Sequence, residues 1–414
     1  MPPRPPSDRA RAPAAERIDV ELVDPLAPDD PSAPIAPLDP GAGGRTAPDA
    51  DGAPVPLGVA AFAAHPRWLR AAAAHLLPPG TLLARVSVDG EERVRLPCLA
   101  PARGRSLLHP VHDHLSLADV DARPGLAHGT LLDAVDATLR AAADRVGAVP
   151  AWRARAVPEG SALVRAVRDR AGASEGPVDA AGWSLRPARE TARFELGRAA
   201  AAPVPGKLRR NLRRLRGRLE SAAGTGAEPL LHGPDDPDAL AAAFERFVAL
   251  EASGWKSGDA GTGGTGTAIA QDPAILAFYR ALLDPHASDR DPGLEPAIVE
   301  LRVDGRTVAA KLALRTGPAL HLLKIAYDES LSECAPGSLL LESLLERAPQ
   351  VGIERVSLVT SPAWAARWHP RVTPTWHVTR YAPTAGGRLA LVADRARELA
   401  RRHDRRLRRT GGGR

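Results

Sequence analysis

The most restrictive part of the chain runs from Ala297 to Val359. Two alternating segments, Ile298–Val303 and Thr307–Arg315, flank Asp304-Gly305, a pair that favours a type I′ hairpin because both positions take φ > 0. A third segment, Leu320–Asp328, follows Thr316-Gly317-Pro318. After Ala335-Pro336-Gly337-Ser338, Leu339, Leu340, Leu344 and Leu345 recur at helical spacing up to Ala348, and Arg355–Val359 reads as a short apolar strand. A helix that starts on Gly337-Ser338 points unpaired N–H groups at whatever lies before it, and small side chains there let an anion approach closely. Where the strand before that turn parts from the strand after the helix, exposed backbone groups are available to an extended, amide-bearing arm by strand addition.

The remainder of the chain repeats parts of this order. Leu82–Val88, Asp89-Gly90 and Arg93–Pro97 form a second predicted hairpin, and Gly129-Thr130-Leu131-Leu132 opens an amphipathic helix to Val146-Gly147. The turns are offset by 215 residues (303 − 88) and the helix starts by 208 (337 − 129), so the same unit is expected twice with loops of different length. Residues 1–55 are dense in Pro, Ala, Asp and Gly and are expected to form a leader without fixed structure. The units are placed at 56–195 and 196–385, followed by a basic tail, 386–414, whose helix is expected from Ala393 to Arg409. Both are read as α/β, with mixed, mostly antiparallel sheets flanked by helices.

With 55 basic against 49 acidic residues the net charge is only +6, which does not point to nucleic acid. Nearly all cations are Arg, so Lys207, Lys256, Lys311 and Lys324 stand out. Two cysteines, Cys98 and Cys334, are too few for a disulfide framework or a cysteine-based zinc site. No apolar leader or membrane-length run occurs, and a cytoplasmic location is expected.

Several short motifs occur in order. Leu208–Leu219 is a leucine face surrounded by arginines, and Glu251-x-x-Gly254-Trp255-Lys256, Gly266-Thr267-Ala268-Ile269 and Phe278-Tyr279 follow it. Next come Val303-Asp304-Gly305-x-x-Val308-Ala309, Lys324-x-x-Tyr327-Asp328-Glu329, Pro336-Gly337-x-Leu339-Leu340 and Trp368. The set resembles the GNAT-type acetyltransferase domain of the BioF2-like group, which includes CelD-like proteins, over roughly residues 195–385. The first half is similar to the weaker copy in the tandem arrangement of Fem-type transferases. The resemblance implies tandem GNAT-like units and transfer of an acetyl or other acyl group from acyl-CoA to an amine on a small molecule or cell-envelope precursor, with no metal. Coenzyme A carries both a pyrophosphate and an amide-bearing arm. The match departs from the family in two places. The turn lacks the full Arg/Gln-x-x-Gly-x-Gly/Ala signature, and Ser357 and Thr360 stand where relatives often carry an acid.

On this reading Pro336, Gly337, Ser338 and Leu339 hold the CoA pyrophosphate. Lys324 is an amine in a cleft or a lysine snorkelling from a strand end. Tyr327 and Asp328 are the proton donor and acceptor, or a core-edge tyrosine and a turn aspartate. Glu251, Trp255, Lys256 and Trp368 are the acceptor-binding set, with Trp255 alternatively only a helix anchor. Two other readings stay open: a Fem-like transferase using aminoacyl-tRNA, and a non-catalytic module in which Arg209, Arg210, Arg213 and Arg214 grip phosphates. The absence of nearby stacking aromatics argues against single-stranded nucleic acid. The glycine loop after Lys256-Ser257 lacks the spacing of a P-loop, and no Gly-x-Ser-x-Gly elbow is present. His109, His112, Asp113 and His114 are a weak candidate zinc cluster, more often incidental in such a strand.

Overall fold

The structure is a computed structural model that describes residues 16–23, 61–78, 81–98, 105–108, 121–122, 126–196, 204–254, 256–257, 266–286 and 293–411. The first half contributes β1 (Ile18–Val23), α1 (Ala61–Ala64), α2 (Pro66–His75), β2 (Leu82–Val88), β3 (Glu91–Cys98), β4 (Leu107–Leu108) and β5 (Asp121–Ala122). It continues with α3 (His128–Val146), β6 (Ala151–Pro158), α4 (Ala162–Ala171), β7 (Val178–Ala180) and β8 (Trp183–Glu195). The second half contributes α5 (Gly206–Ala223), β9 (Ala227–His232), α6 (Pro237–Ser253), α7 (Pro273–Leu283), β10 (Glu295–Val303), β11 (Arg306–Thr316) and β12 (Ala319–Tyr327). After these come α8 (Pro336–Arg347), β13 (Arg355–Ser357), β14 (Arg371–Tyr381) and α9 (Ala385–Gly411).

Both expected hairpins form on the expected turns. Asp89 and Gly90 sit at φ 52° and 86°, Asp304 and Gly305 at 51° and 71°, so each pair supplies the positive φ that a type I′ turn demands. A four-stranded sheet runs β1-β2-β3-β5, and a ten-stranded sheet runs β4-β6-β14-β8-β13-β12-β11-β10-β9 with β7 attached to β8. The large sheet passes without a break through the boundary expected near residue 195. In it β8 from the first half lies between β13 and β14, and β14 from the second half lies between β6 and β8. Each half thus supplies a strand that the other half's sheet needs.

Of the expected leader only residues 16–23 are among the described residues, and there the structure departs from the expectation: Ile18–Val23 pairs antiparallel with β2 from Ile18↔Val88 to Val23↔Leu83. Its alternating Ile18, Val20 and Leu22 pack on the core beneath α3, which a composition argument over the whole leader averages away. The tail helix is also longer than expected, beginning at Ala385.

Helices cover the two faces of the second-half sheet. On one side α8 and the Leu208, Leu212, Leu215 and Leu219 face of α5 pack over Ala309, Ala313, Leu320 and Leu322, each fully buried leucine contributing roughly 1.5–3 kcal/mol. On the other side α6 and α7, with Phe62 and Trp68 from α1 and α2, pack over Ala310, Leu312 and Leu314. Arg67 fixes this cross-half contact, donating from its buried guanidinium to the carbonyls of Leu282, Leu294 and Asp284 at 2.5, 3.1 and 2.9 Å.

At the outer end of the sheet the fully buried Glu300 joins four elements. It accepts hydrogen bonds from Arg246 of α6 at 2.9 and 2.8 Å, Arg302 at 2.9 Å and Thr307 at 2.8 Å, and lies 2.9 Å from His232 of β9. Burial alone pushes this carboxyl upward, but the bonds from Arg246 and Thr307 and the charges of Arg246 and Arg302 outweigh it and hold it at about 2. Glu300→Gln strands two guanidinium groups and is expected to destabilise the fold at neutral pH by about 3–5 kcal/mol in urea unfolding. The carboxylate's contribution is present above 4.5 and lost as pH falls toward about 2, so the gap between wild type and variant should close over that window.

Candidate active site

The strand before the turn and the strand after the helix do part. β12 and β13 pair in parallel at Ala319↔Arg355, Leu320↔Val356 and His321↔Ser357, and nowhere beyond. After Ser357 the chain follows β8 instead: Leu358 N–H donates to the Ala192 carbonyl at 2.8 Å, and Ala192 N–H to that of Thr360 at 3.1 Å. Val359 makes the change of partner. It sits at φ 63°, a costly region for a β-branched residue, inside an i→i+2 bond from Thr360 N–H to the Leu358 carbonyl at 2.6 Å. The expected strand Arg355–Val359 therefore ends at Ser357.

β12 turns its own backbone into the gap. Leu312 faces Lys324 while Ala313 faces Leu322, leaving Leu323 as an extra, bulged residue. Beyond the bulge, Asp328 N–H donates to the Val308 carbonyl at 2.9 Å, which makes Tyr327–Ala309 a pair without mutual hydrogen bonds. Alternation then directs the N–H and C=O groups of Ile325 and Tyr327 away from β11, toward the side that β13 has vacated.

α8 begins beside this open edge. Its N-cap, Ala335, has φ 48° and ψ 54° and no side-chain cap bond, and Pro336 occupies the first turn, so the helix start is left to main-chain N–H groups. A Cβ on Gly337 would lie 3.0 Å from Ile325 Cδ1 and 3.8 Å from Tyr327 Cδ1. Glycine is what lets the helix start approach the gap-facing residues. Arg367 donates to Ser338 Oγ at 2.8 Å, setting a guanidinium over the same end. Leu339 is fully buried in the core and serves to seat the helix.

Three lysines converge on the edge. Lys256 donates from Nζ to Glu251 Oε1 at 2.6 Å and to the Ile325 carbonyl at 2.7 Å, while Glu251 Oε2 accepts from Ile269 N–H at 2.8 Å. The Lys256 carbonyl accepts from Thr267 and Ala268 N–H, both at 3.1 Å. Glu251 and Lys256, placed by the sequence in the acceptor-binding set, are thus a buried pair that holds Thr267–Ile269 and reaches the split strand. Lys324 lies on the α6 face of β12. Burial lowers it to about 8, with the Glu251 charge opposing and the Lys256 charge assisting. Burial and the charge of Glu251 push the Tyr279 hydroxyl upward on that side.

Lys311 is the residue that the motif reading passed over. It stands opposite Ile325 on β11 and shares the α8 face with it. It is 2% exposed, no carboxylate pairs with it among the described residues, and its Nζ lies 5.9 Å from the Trp364 ring centroid. Burial, aided by the charge of Lys256, brings it down to about 7. The available signal was a lone lysine, one of four in the chain, inside the apolar run Val308–Leu314.

The other predicted residues divide. Tyr327 is half-buried beside Gly337 with its backbone facing the gap. Asp328 is committed elsewhere: it pairs with Arg306, and its Oδ1 accepts from Ser330 N–H at 3.0 Å and Ser330 Oγ at 2.6 Å, the pattern of a cap closing the strand end. Trp368 is turned into the core against Phe194, with ring centroids 6.4 Å apart. Trp255 and the cluster His109, His112, Asp113 and His114 lie outside the described residues. The arginine face of α5 is partly spent on the protein itself, Arg216 on Glu342 at 3.1 Å and Arg218 on Glu333 at 3.7 Å.

Lys311→Met removes a charge that the unfolded chain carries up to 10.5 and the folded chain only to about 7. The unfolded state binds the extra proton between those values, so wild-type stability should rise with pH across that window. The stabilising effect of Met, read as a shift in the urea midpoint, should be largest at and below about 7 and should vanish toward 10.5.

Residues 206–368 match the family model for the acetyltransferase (GNAT) domain. Solved structures with a similar arrangement include L-PGS from Bacillus licheniformis, at 12% identity and TM-score 0.48 over 84% of this chain and 96% of that one. A tandem GNAT protein from the clavulanic acid biosynthesis pathway aligns at 12% identity and TM-score 0.40, over 89% and 100% of the two chains. FemX aligns at 12% identity and TM-score 0.37, over 78% and 94%. No curated protein matches the chain in sequence. Residues 206–368 thus match a GNAT-type acetyltransferase domain, within a chain whose fold is mixed α/β with antiparallel-rich sheets flanked by helices.

Proposed function

We propose that the second unit transfers an acyl group from acyl-CoA, with acetyl-CoA the first candidate, to an amine. The observation that supports this most directly is the gap beside β12, where the N–H groups of Ile325 and Tyr327 face an opening next to the α8 N-terminus. The residues present fit the co-substrate: Gly337 lets the start of α8 lie against Ile325 beside the open edge, and Arg367 with the first N–H groups of α8 is suited to a pyrophosphate. Acyl-CoA supplies the thioester carbonyl.

Around that carbonyl the protein contributes polarisation, proton acceptance and proton return. The Ile325 N–H is oriented to hydrogen-bond the developing oxyanion, a role that preorganised backbone donors fill without reorganisation. The acceptor nitrogen attacks the carbonyl carbon, the C–N bond forms and the C–S bond breaks. Lys311, held near about 7 by burial, takes the proton that the attacking nitrogen loses. Tyr327 returns a proton to the departing thiolate, and Lys324 opposes negative charge from the α6 face. With Asp328 engaged by Arg306 and Ser330, the base role moves from that carboxylate to Lys311.

Isothermal titration of the purified protein with acetyl-CoA should show saturable binding that Gly337→Asp weakens at least about tenfold by placing a carboxylate against the pyrophosphate. No heat with acetyl-CoA or with longer acyl-CoAs would remove the acyl-CoA reading. With an acceptor in hand, kcat should rise as pH passes about 7 in the wild type, and Lys311→Met should lower kcat and flatten that rise while leaving acetyl-CoA affinity unchanged. A Lys311→Met enzyme with an unaltered pH profile would take the base role away from Lys311.

A further inference from the structure

α9 is docked with its polar side inward. Tyr381 Oη donates to Asp394 at 2.9 Å, Arg153 pairs with Asp394 at 2.6 Å, Arg186 with Glu398 at 2.8 Å and Arg395 with Asp179 at 2.9 Å. Its apolar side faces outward. Leu389, Val392 and Leu399 are 71%, 61% and 66% exposed, and with exposed Ala396 they fall at i, i+3, i+7 and i+10, a single stripe along the helix. A surface helix that only closed a fold would present the opposite face to solvent.

The borders of the stripe indicate what covers it. At 3.6 residues per turn, Arg388 and the Asp179-paired but half-exposed Arg395 run along one edge, and the nearest cation beyond the other edge is the exposed Arg397, which also bonds Asp394. Two-fold pairing with a second copy would bring these like-charged edges together. An anionic bilayer satisfies both features, because the stripe enters the acyl boundary while the guanidinium groups meet lipid phosphates. Among the described residues no helix is long and apolar enough to cross a membrane, so the contact is with the surface. We infer that α9 seats this protein on an anionic membrane surface, with Leu389, Val392 and Leu399 inserted and the flanking arginines on the headgroups.

The test uses the full chain and sedimentation with vesicles of phosphatidylcholine, alone or mixed with phosphatidylglycerol. The wild type should sediment with the phosphatidylglycerol vesicles and not with phosphatidylcholine alone, and added salt should release it. Leu389→Ser, Val392→Ser and Leu399→Ser combined should lower the partition coefficient at least about tenfold with an unchanged thermal melt, since all three positions are exposed. Arg388→Ala with Arg397→Ala should lower both partition and its salt dependence. The inference is overturned if the wild type ignores phosphatidylglycerol vesicles, or if the triple variant binds them as well as the wild type does. A dimer in light scattering that the triple variant abolishes would likewise overturn it, by assigning the stripe to a second copy.

Discussion

The candidate site exists because β12 and β13 stop pairing after three residue pairs. Two local features enforce the stop. The bulge at Leu323 bends β12, and the left-handed Val359 hands the chain leaving β13 over to β8. Since β8 comes from the first half, the gap in the second half is held open by a strand that the second half does not contain. The pairing between the halves is in this sense part of the candidate site, because without β8 the end of β13 has no competing partner to follow.

An open strand edge exposes polar backbone inside an otherwise apolar sheet, and that sets the electrostatics around it. Lys256, already paired with the buried Glu251, satisfies the Ile325 carbonyl. Burial lowers the two neighbouring amines, with the Lys256 charge assisting, bringing Lys311 to about 7 and Lys324 to about 8. Among the described residues Glu251 is the one buried carboxylate beside these three lysines, a balance that suits anionic co-substrates and makes proton uptake possible near neutrality. The same pair also holds Thr267, Ala268 and Ile269, the first two on the Lys256 carbonyl and the third on the Glu251 carboxylate, beside the strand edge.

Much of this was legible in the sequence where a local signal was strong. The Asp-Gly turns, the leucine spacing of α8 and the helix start at Gly337 each rest on a few adjacent residues whose conformational demands are narrow, and all three are found as expected. Residues whose role depends on partners distant in sequence were harder to place. Asp328 lies at a plausible strand end, but Arg306 and Ser330 claim it. Trp368 carries a family motif, yet its ring fills core beside Phe194 from the other half. Lys311 has no motif at all, and only its pairing with Ile325 across β11 and β12 places it next to a gap-facing residue. The exchange of β8 and β14 was hidden for the same reason: strand order across halves is set by long-range pairing, which periodicity along the chain does not encode.

The central claim is that the backbone edge Leu322–Tyr327 receives the thioester arm of a co-substrate. Hydrogen–deuterium exchange read by mass spectrometry, with and without a non-hydrolysable acetyl-CoA analogue, tests it most directly. Ligand should slow exchange in peptides spanning Ile325 and Tyr327 and in those containing Gly337 and Ser338, leaving the first-half hairpin β2–β3 unchanged. Bound ligand that protects some other region and leaves exchange across 322–327 untouched would contradict the account.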